Sequence, residues 1–96
     1  MIECHTTVHT KRAAQFLFKL CKHFARKIPV DFDAQQGVAH FPFGIGRLYA
    51  DDATLRLEAA AADPALLARV CQVLEDHLQL MRRAENAALD WQPRQP

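Results

Sequence analysis

Polar and apolar residues alternate at the start of the chain, with Ile2, Cys4, Thr6 and Val8 set against Glu3, His5, Thr7 and His9. A period of two with β-branched residues predicts a strand that turns one face inward. From Lys11 onward the spacing changes to three and four, through Ala13, Phe16, Leu17, Leu20, Cys21 and Phe24. That spacing predicts a helix from about Lys11 to Lys27 whose apolar stripe meets a core. Thr10 is its expected cap, and Pro29 its stop, because the residue before a proline is driven out of the α region.

Strands are then predicted at Val30–Asp33, Val38–Phe43 and Arg47–Ala50, and again where Leu55, Leu57 and Ala59 alternate with Thr54, Arg56 and Glu58. Turns fall at Ala34–Gly37 and at Asp51-Asp52, and Pro42 belongs at an edge or bulge because it cannot donate to a ladder. Gly44 and Gly46 are expected to make a bend before Arg47. Asp63-Pro64 opens a second helix running to about Glu85. Leu66, Leu67, Val70, Leu74, Met81 and Ala84 would face inward there, with Arg69, Gln72, Glu75, Asp76, Gln79 and Arg83 outward. Leu89 and Trp91 fit a short final strand, and Gln92 to Pro96 a frayed end.

Two helices, each apolar on one side, and a set of hairpins predict one domain over residues 1–96. The expected architecture is an α+β two-layer sandwich in the order β-α-β-β-β-α-β, its sheet mostly antiparallel with both helices on one face. The first strand, helix and second strand would form a right-handed crossover. The opposite sheet face would carry Glu3, His5, His9, His40, Tyr49, Arg56 and Glu58.

Composition narrows the function classes. Half of the 96 residues are hydrophobic and 24% are charged, an ordinary globular balance, and the formal charge is +1. This excludes a strongly basic nucleic-acid coat protein and an acidic tail. No apolar run approaches the roughly 20 residues needed to span a bilayer, and Met1-Ile2-Glu3-Cys4-His5 lacks a signal peptide's basic start. The three cysteines, Cys4, Cys21 and Cys71, form no CxxC, so reduced thiols in a cytoplasmic protein are expected. Serine is absent, which removes serine-nucleophile mechanisms. Gly44-Ile45-Gly46 precedes a strand rather than a helix and makes no phosphate cradle.

Charge is unevenly distributed. Residues 1–30 carry a net +5 and residues 31–96 a net −4, and no acid occurs from Thr10 through Val30. The first helix therefore presents a basic stripe, and Lys19, Lys22, His23, Arg26 and Lys27 are the candidate residues for an anionic partner. His5, His40, Tyr49 and Arg56 form a second candidate set on the polar sheet face. His5 and His9 share that face but stand about 13 Å apart, too far for one ion. Glu3 with His5, or either with His40, is the remaining combination. No HxH, HExxH or Cys/His cluster occurs, so no metal site, cofactor or catalytic residue is assigned. His77 falls between Val70, Leu74 and Met81 and is expected to be a core histidine bonded to backbone.

Leu20-Cys21-Lys22-His23-Phe24-Ala25-Arg26-Lys27-Ile28-Pro29-Val30 resembles the bacterial family called domain of unknown function 2218. The likeness continues through Phe32-Asp33, Gly37, Phe41-Pro42-Phe43-Gly44, Leu48-Tyr49-Ala50, Leu55, Leu57, Glu75-Asp76-His77-Leu78 and Glu85 to Trp91. The resemblance implies a small sheet-and-helix domain of the TATA-binding-protein-like type. Members occur alone or attached to siderophore-interacting flavin reductases, which implies a link to iron uptake. Some members bear a dihydroxyheptenedioate aldolase label, but this chain is too short for the barrel such aldolases use. Where the family pattern reads His-Trp-x-His-Lys, this chain keeps His23 and Lys27 but has Phe24 and Arg26. An arginine cannot coordinate a metal.

The expectation is a non-enzymatic accessory module, a monomer or weak homodimer. Its partner would be an anionic small ligand or an acidic protein surface, not nucleic acid and not a membrane. The alternative is a small metal- or histidine-dependent enzyme using His23, His77 or the Glu3/His5/His40 face.

Overall fold

The computed structural model describes residues 1–82 and 88–93. The elements are β1 (Ile2–His9), α1 (Ala13–Phe24), β2 (Val30–Phe32), β3 (Gln36–Phe41), β4 (Gly44–Ala50), β5 (Thr54–Ala61), α2 (Pro64–Arg82) and β6 (Gln92–Pro93). Four strands separate the helices where the β-α-β-β-β-α-β order has three, and all four belong to the sheet. The strand order is β2-β3-β4-β5-β1-β6, with every pair antiparallel. α1 thus carries the chain from β1 across three intervening strands to β2.

The register explains the two-layer build. Cys4 pairs with Ala59, Ala59 with Gly46 and Gly46 with Ala39, so one row crosses the sheet on a single face. A parallel row runs Thr6, Leu57, Leu48, Gly37 and Phe32. The sheet residues of one core cluster (Cys4, Val8, Ala39, Leu48, Leu55, Leu57 and Ala59) pack with Phe16, Leu17, Leu20, Cys21 and Phe24 of α1 and Val70, Leu74 and Leu78 of α2. Both helices therefore cover the same face. The stripe read for the second helix omitted Leu78, which is fully buried, while Leu66 and Leu67 are only half-buried. Arg83, Ala84 and Glu85 lie outside the described residues, as do residues 94–96.

Several boundaries differ from expectation for local reasons. Thr10 does not cap α1. Its Oγ1 accepts a hydrogen bond from the Arg12 N–H at 3.0 Å, closing a turn, and the helix starts three residues later. α1 also ends at Phe24, before Lys27. Beyond it, the Arg26 N–H donates to the His23 carbonyl and that of Lys27 to Phe24 in tightened turns, while the Ile28 N–H reaches the same Phe24 carbonyl from four residues on. Asp33 Oδ1 accepts from the Gln35 and Gln36 N–H groups, which moves the hairpin turn ahead of Gln36. Asp63 does cap α2, accepting from the Leu66 N–H at 2.9 Å.

Gly44 and Gly46 do not bend the chain. Pro42-Phe43 makes the hairpin, and both glycines lie inside β4. Their lack of a side chain lets α2 settle on the strand, since an added Cβ would stand 2.7 Å from Val70 Cγ2 at Gly44 and 3.3 Å from Leu74 Cδ2 at Gly46. At the far end, the final strand is Gln92–Pro93 against Cys4 and His5, not Leu89 and Trp91. Trp91 instead donates its indole N–H to Glu75 Oε1 at 3.0 Å and ties this segment to α2. Among the described residues, no helix is long and apolar enough to cross a membrane.

Candidate functional site

The end of α1, the β3–β4 hairpin and the middle of α2 meet around a cleft of about 480 Å³. Its lining is His23, Phe24, Arg26, Lys27, Ile28, Phe41, Pro42, Phe43, Val73 and His77. Each segment arrives for a reason already visible in the fold. Buried Phe24 is the last core contact of α1, so the tightened turns after it hold Arg26 and Lys27 at the rim. Pro42-Phe43 is the tip of a two-residue hairpin, and α2 is drawn to it by the glycine strand.

The walls are aromatic. Phe41 and Phe43 stack with ring centroids 5.3 Å apart and 20° between planes, while Phe24 meets Phe41 edge-on at 5.2 Å and His77 at 5.1 Å. The His23 and His77 rings lie 4.8 Å apart. Arg69 covers the Phe43 ring at 4.3 Å, a cation–π contact that adds positive charge beside the cleft. Among the described residues, two cations and no acid belong to the lining. The chemistry on offer is a flat apolar slot with positive charge at its mouth.

His77 is half-buried at this cleft rather than enclosed in the core, because the ring projects toward α1 from the margin of the α2 stripe. Its Nδ1–H donates to the Val73 carbonyl at 2.7 Å, the backbone bond expected of it. His23 is exposed overall, yet its ring rests on His77 and Phe24. Desolvation holds its pKa below the ordinary 6.5, and the positive charges of His77, Arg26 and Lys27 push the same way.

A pH effect follows. Above the ordinary value His23 is neutral folded or unfolded, whereas below it the unfolded chain takes up the proton first. Stability should therefore fall as pH drops from 6.5 through the lowered value. The His23→Gln variant should show a shallower loss of thermal midpoint between about pH 7 and pH 5. Asp33 and Asp51, held below 3.8 by backbone N–H donors, act only at more acid pH. Identical profiles for variant and wild type would contradict the assignment.

The structure divides the sequence-derived candidates. His23, Arg26 and Lys27 share the cleft, while Lys19 and Lys22 lie outside its lining on the exposed arc of α1. Lys22 sits over the ring of exposed Phe18 at 5.8 Å. On the outer sheet face Tyr49 pairs with Arg56, and both border a shallow depression with Thr7 and Asp51. The Arg56 Nε–H already donates to Glu58 Oε2 at 2.8 Å, which occupies one of its five donors. His5 stands opposite Glu58, and His40 opposite Ile45.

Ile45 in turn faces Ala60, and Ala60 faces Glu3. His40 and Glu3 are thus three strand spacings apart, about 14 Å, and His40 cannot share an ion with Glu3 or His5. Among the described residues, no group of three His, Cys, Asp or Glu could hold a metal ion. The sequence reading missed Phe41, Phe43 and Val73. The aromatic, turn-forming Phe-Pro-Phe triplet was the available signal.

No curated protein matches the chain. The NMR structure of PA4090 from Pseudomonas aeruginosa is similar, with a TM-score of 0.84, 30% identity and 97% of each chain covered. The family model described as an uncharacterized protein conserved in bacteria matches residues 5–92. Since that span includes every strand pairing except those of Ile2, Glu3 and Cys4, together with all ten cleft residues, the chain belongs to the bacterial domain of unknown function 2218 family.

Proposed function

We propose that the chain is a non-enzymatic binding module whose cleft takes a small anionic ligand with a flat apolar body. The observation that carries this reading is the union of an aromatic slot with Arg26 and Lys27 at its mouth and no acid among the described residues of its lining. The aromatic walls supply stacking and burial, and the two cations supply charge-assisted hydrogen bonds to a carboxylate or sulfonate. A walled cleft favours a small molecule over an acidic protein surface, which would need a broad, flat contact. The three unbridged thiols support a cytoplasmic setting.

The iron–siderophore context implied by the family resemblance names one ligand class, the aryl hydroxy acids from which catecholate siderophores are built. The test titrates labelled protein with 2-naphthoate, with neutral 2-naphthamide and with 2,3-dihydroxybenzoate, following amide chemical shifts. Naphthoate should shift residues 23–28, 41–43 and 73–77 and outbind the amide. The Arg26→Glu/Lys27→Glu double variant should lose about tenfold or more in affinity, with little change in thermal midpoint. Equal binding by the double variant, or shifts elsewhere, would refute the proposal. If naphthoate binds and dihydroxybenzoate does not, only the iron context fails.

The His23–His77 contact favours one second reading, a histidine-dependent enzyme in which neutral His23 acts as general base. On that reading a cleft ligand is turned over and His23→Ala abolishes turnover, whereas a ligand released unchanged by wild type excludes it.

A further inference from the structure

Cys4 of β1 and Cys71 of α2, 67 residues apart in the chain, bring their sulfurs within 2.8 Å. Both are free thiols. We propose that this pair is an oxidation site, closed by peroxide into a reversible disulfide that staples α2 to β1. A disulfide bond is about 2.05 Å long, so the sulfurs need to approach by less than 1 Å, a movement within side-chain reach. The contact joins the strand and helix at the heart of the fold, and Cys71 lies two residues before Val73 of the cleft. Cys21, on the buried face of α1, has no sulfur partner among the described residues and serves as an internal control.

The chemistry balances with one peroxide. Cys71 is the less buried of the two and is reached first. Its thiolate attacks an oxygen of hydrogen peroxide, the O–O bond breaks, and the departing hydroxide takes up the thiol's proton to become water. The resulting sulfenic acid is then attacked by the Cys4 sulfur, which forms the S–S bond and expels a second water. Two thiols are oxidised and one peroxide is reduced.

Burial raises the pKa of both sulfurs, so the thiolate is scarce near neutrality and the reaction is slow there. The rate should climb about tenfold per pH unit between about pH 7 and pH 9 as the thiolate fraction grows.

The experiment treats folded wild-type protein with hydrogen peroxide and follows intact mass, free-thiol count and peptide map. Free thiols should drop from three to one, with a loss of about 2 Da and a single Cys4–Cys71 cross-linked peptide. The thermal midpoint should rise by roughly 10 °C or more, because a long loop is closed in the unfolded chain, and dithiothreitol should reverse every change. Cys71→Ala should give no cross-link. Oxidation confined to added oxygen without a cross-link would overturn the proposal. So would a bridge to Cys21, or three thiols surviving at pH 9 in protein that remains folded. None of these outcomes bears on ligand binding in the cleft.

Discussion

Gly44→Ala should lower the thermal midpoint by roughly 10 °C or more, although it adds a single methyl group. That methyl would stand 2.5 Å from the Ala60 carbonyl oxygen, 2.7 Å from Val70 Cγ2 and 3.2 Å from Ala61 Cβ. None of these atoms can yield cheaply. The carbonyl belongs to the neighbouring strand, and Val70 is β-branched and stiff on a helix. Relief requires β4 and α2 to separate, and that movement would open the cleft, because α2 carries Val73 and His77. At Gly46 the same change meets the Phe41 ring edge at 3.2 Å and a Leu74 methyl at 3.3 Å, which are ends of rotatable side chains. Thermal scans should therefore rank Gly44→Ala well below Gly46→Ala. The reverse order would show that α2 does not rest on Gly44.

Leu74→Ala should cost roughly 2–5 kcal/mol, a large share of the total stability of a domain this size. Leu74 is fully buried at the centre of α2, and its loss leaves a cavity over Gly46 that rigid sheet and helix cannot collapse into. The same geometry sets a sharper test. In wild type Gly46→Ala crowds the Leu74 methyls, but in the Leu74→Ala background the new methyl enters vacated space. Denaturant melts should show Gly46→Ala stabilising the Leu74→Ala protein while leaving wild type unchanged or weaker, an interaction that appears only between touching residues. Additive effects would mean the two positions are not in contact.

The residues show where reading the sequence succeeds. Ile2 to His9 alternate, and β1 turns Cys4, Thr6 and Val8 inward as that alternation demands. Six apolar residues of α1 recur at helical spacing, and all six are buried. Asp63 reads as a cap and acts as one. Each of these depends on residues within about one turn or one strand of each other, where the chain's own periodicity decides which side meets water.

The misreadings share a different cause. Gly44 and Gly46 look like a bend because glycine permits one, but the demand for them comes from Val70 and Leu74, far along the chain. Thr10 looks like a cap, yet a competing turn with Arg12 claims its hydroxyl. Cys4 and Cys71 seem unrelated until β1 and α2 pack. The basic stripe was legible on α1, but its division was not. Arg26 and Lys27 belong to the cleft and Lys19 and Lys22 do not, because α1 stops at Phe24 and the following turns swing the later pair toward Phe43.

The sequence by itself determined which faces of β1, α1 and α2 are oily, where α2 begins, and that one helix carries the positive charge. Only the tertiary structure decided that the end of α1, the Phe41–Phe43 hairpin tip, Val73 and His77 enclose one aromatic slot, and that two distant thiols touch. The physical reason is that burial period is written into neighbouring residues. A cleft between three segments depends on how a glycine-lined strand lets a helix approach, and no short window of sequence contains that relation.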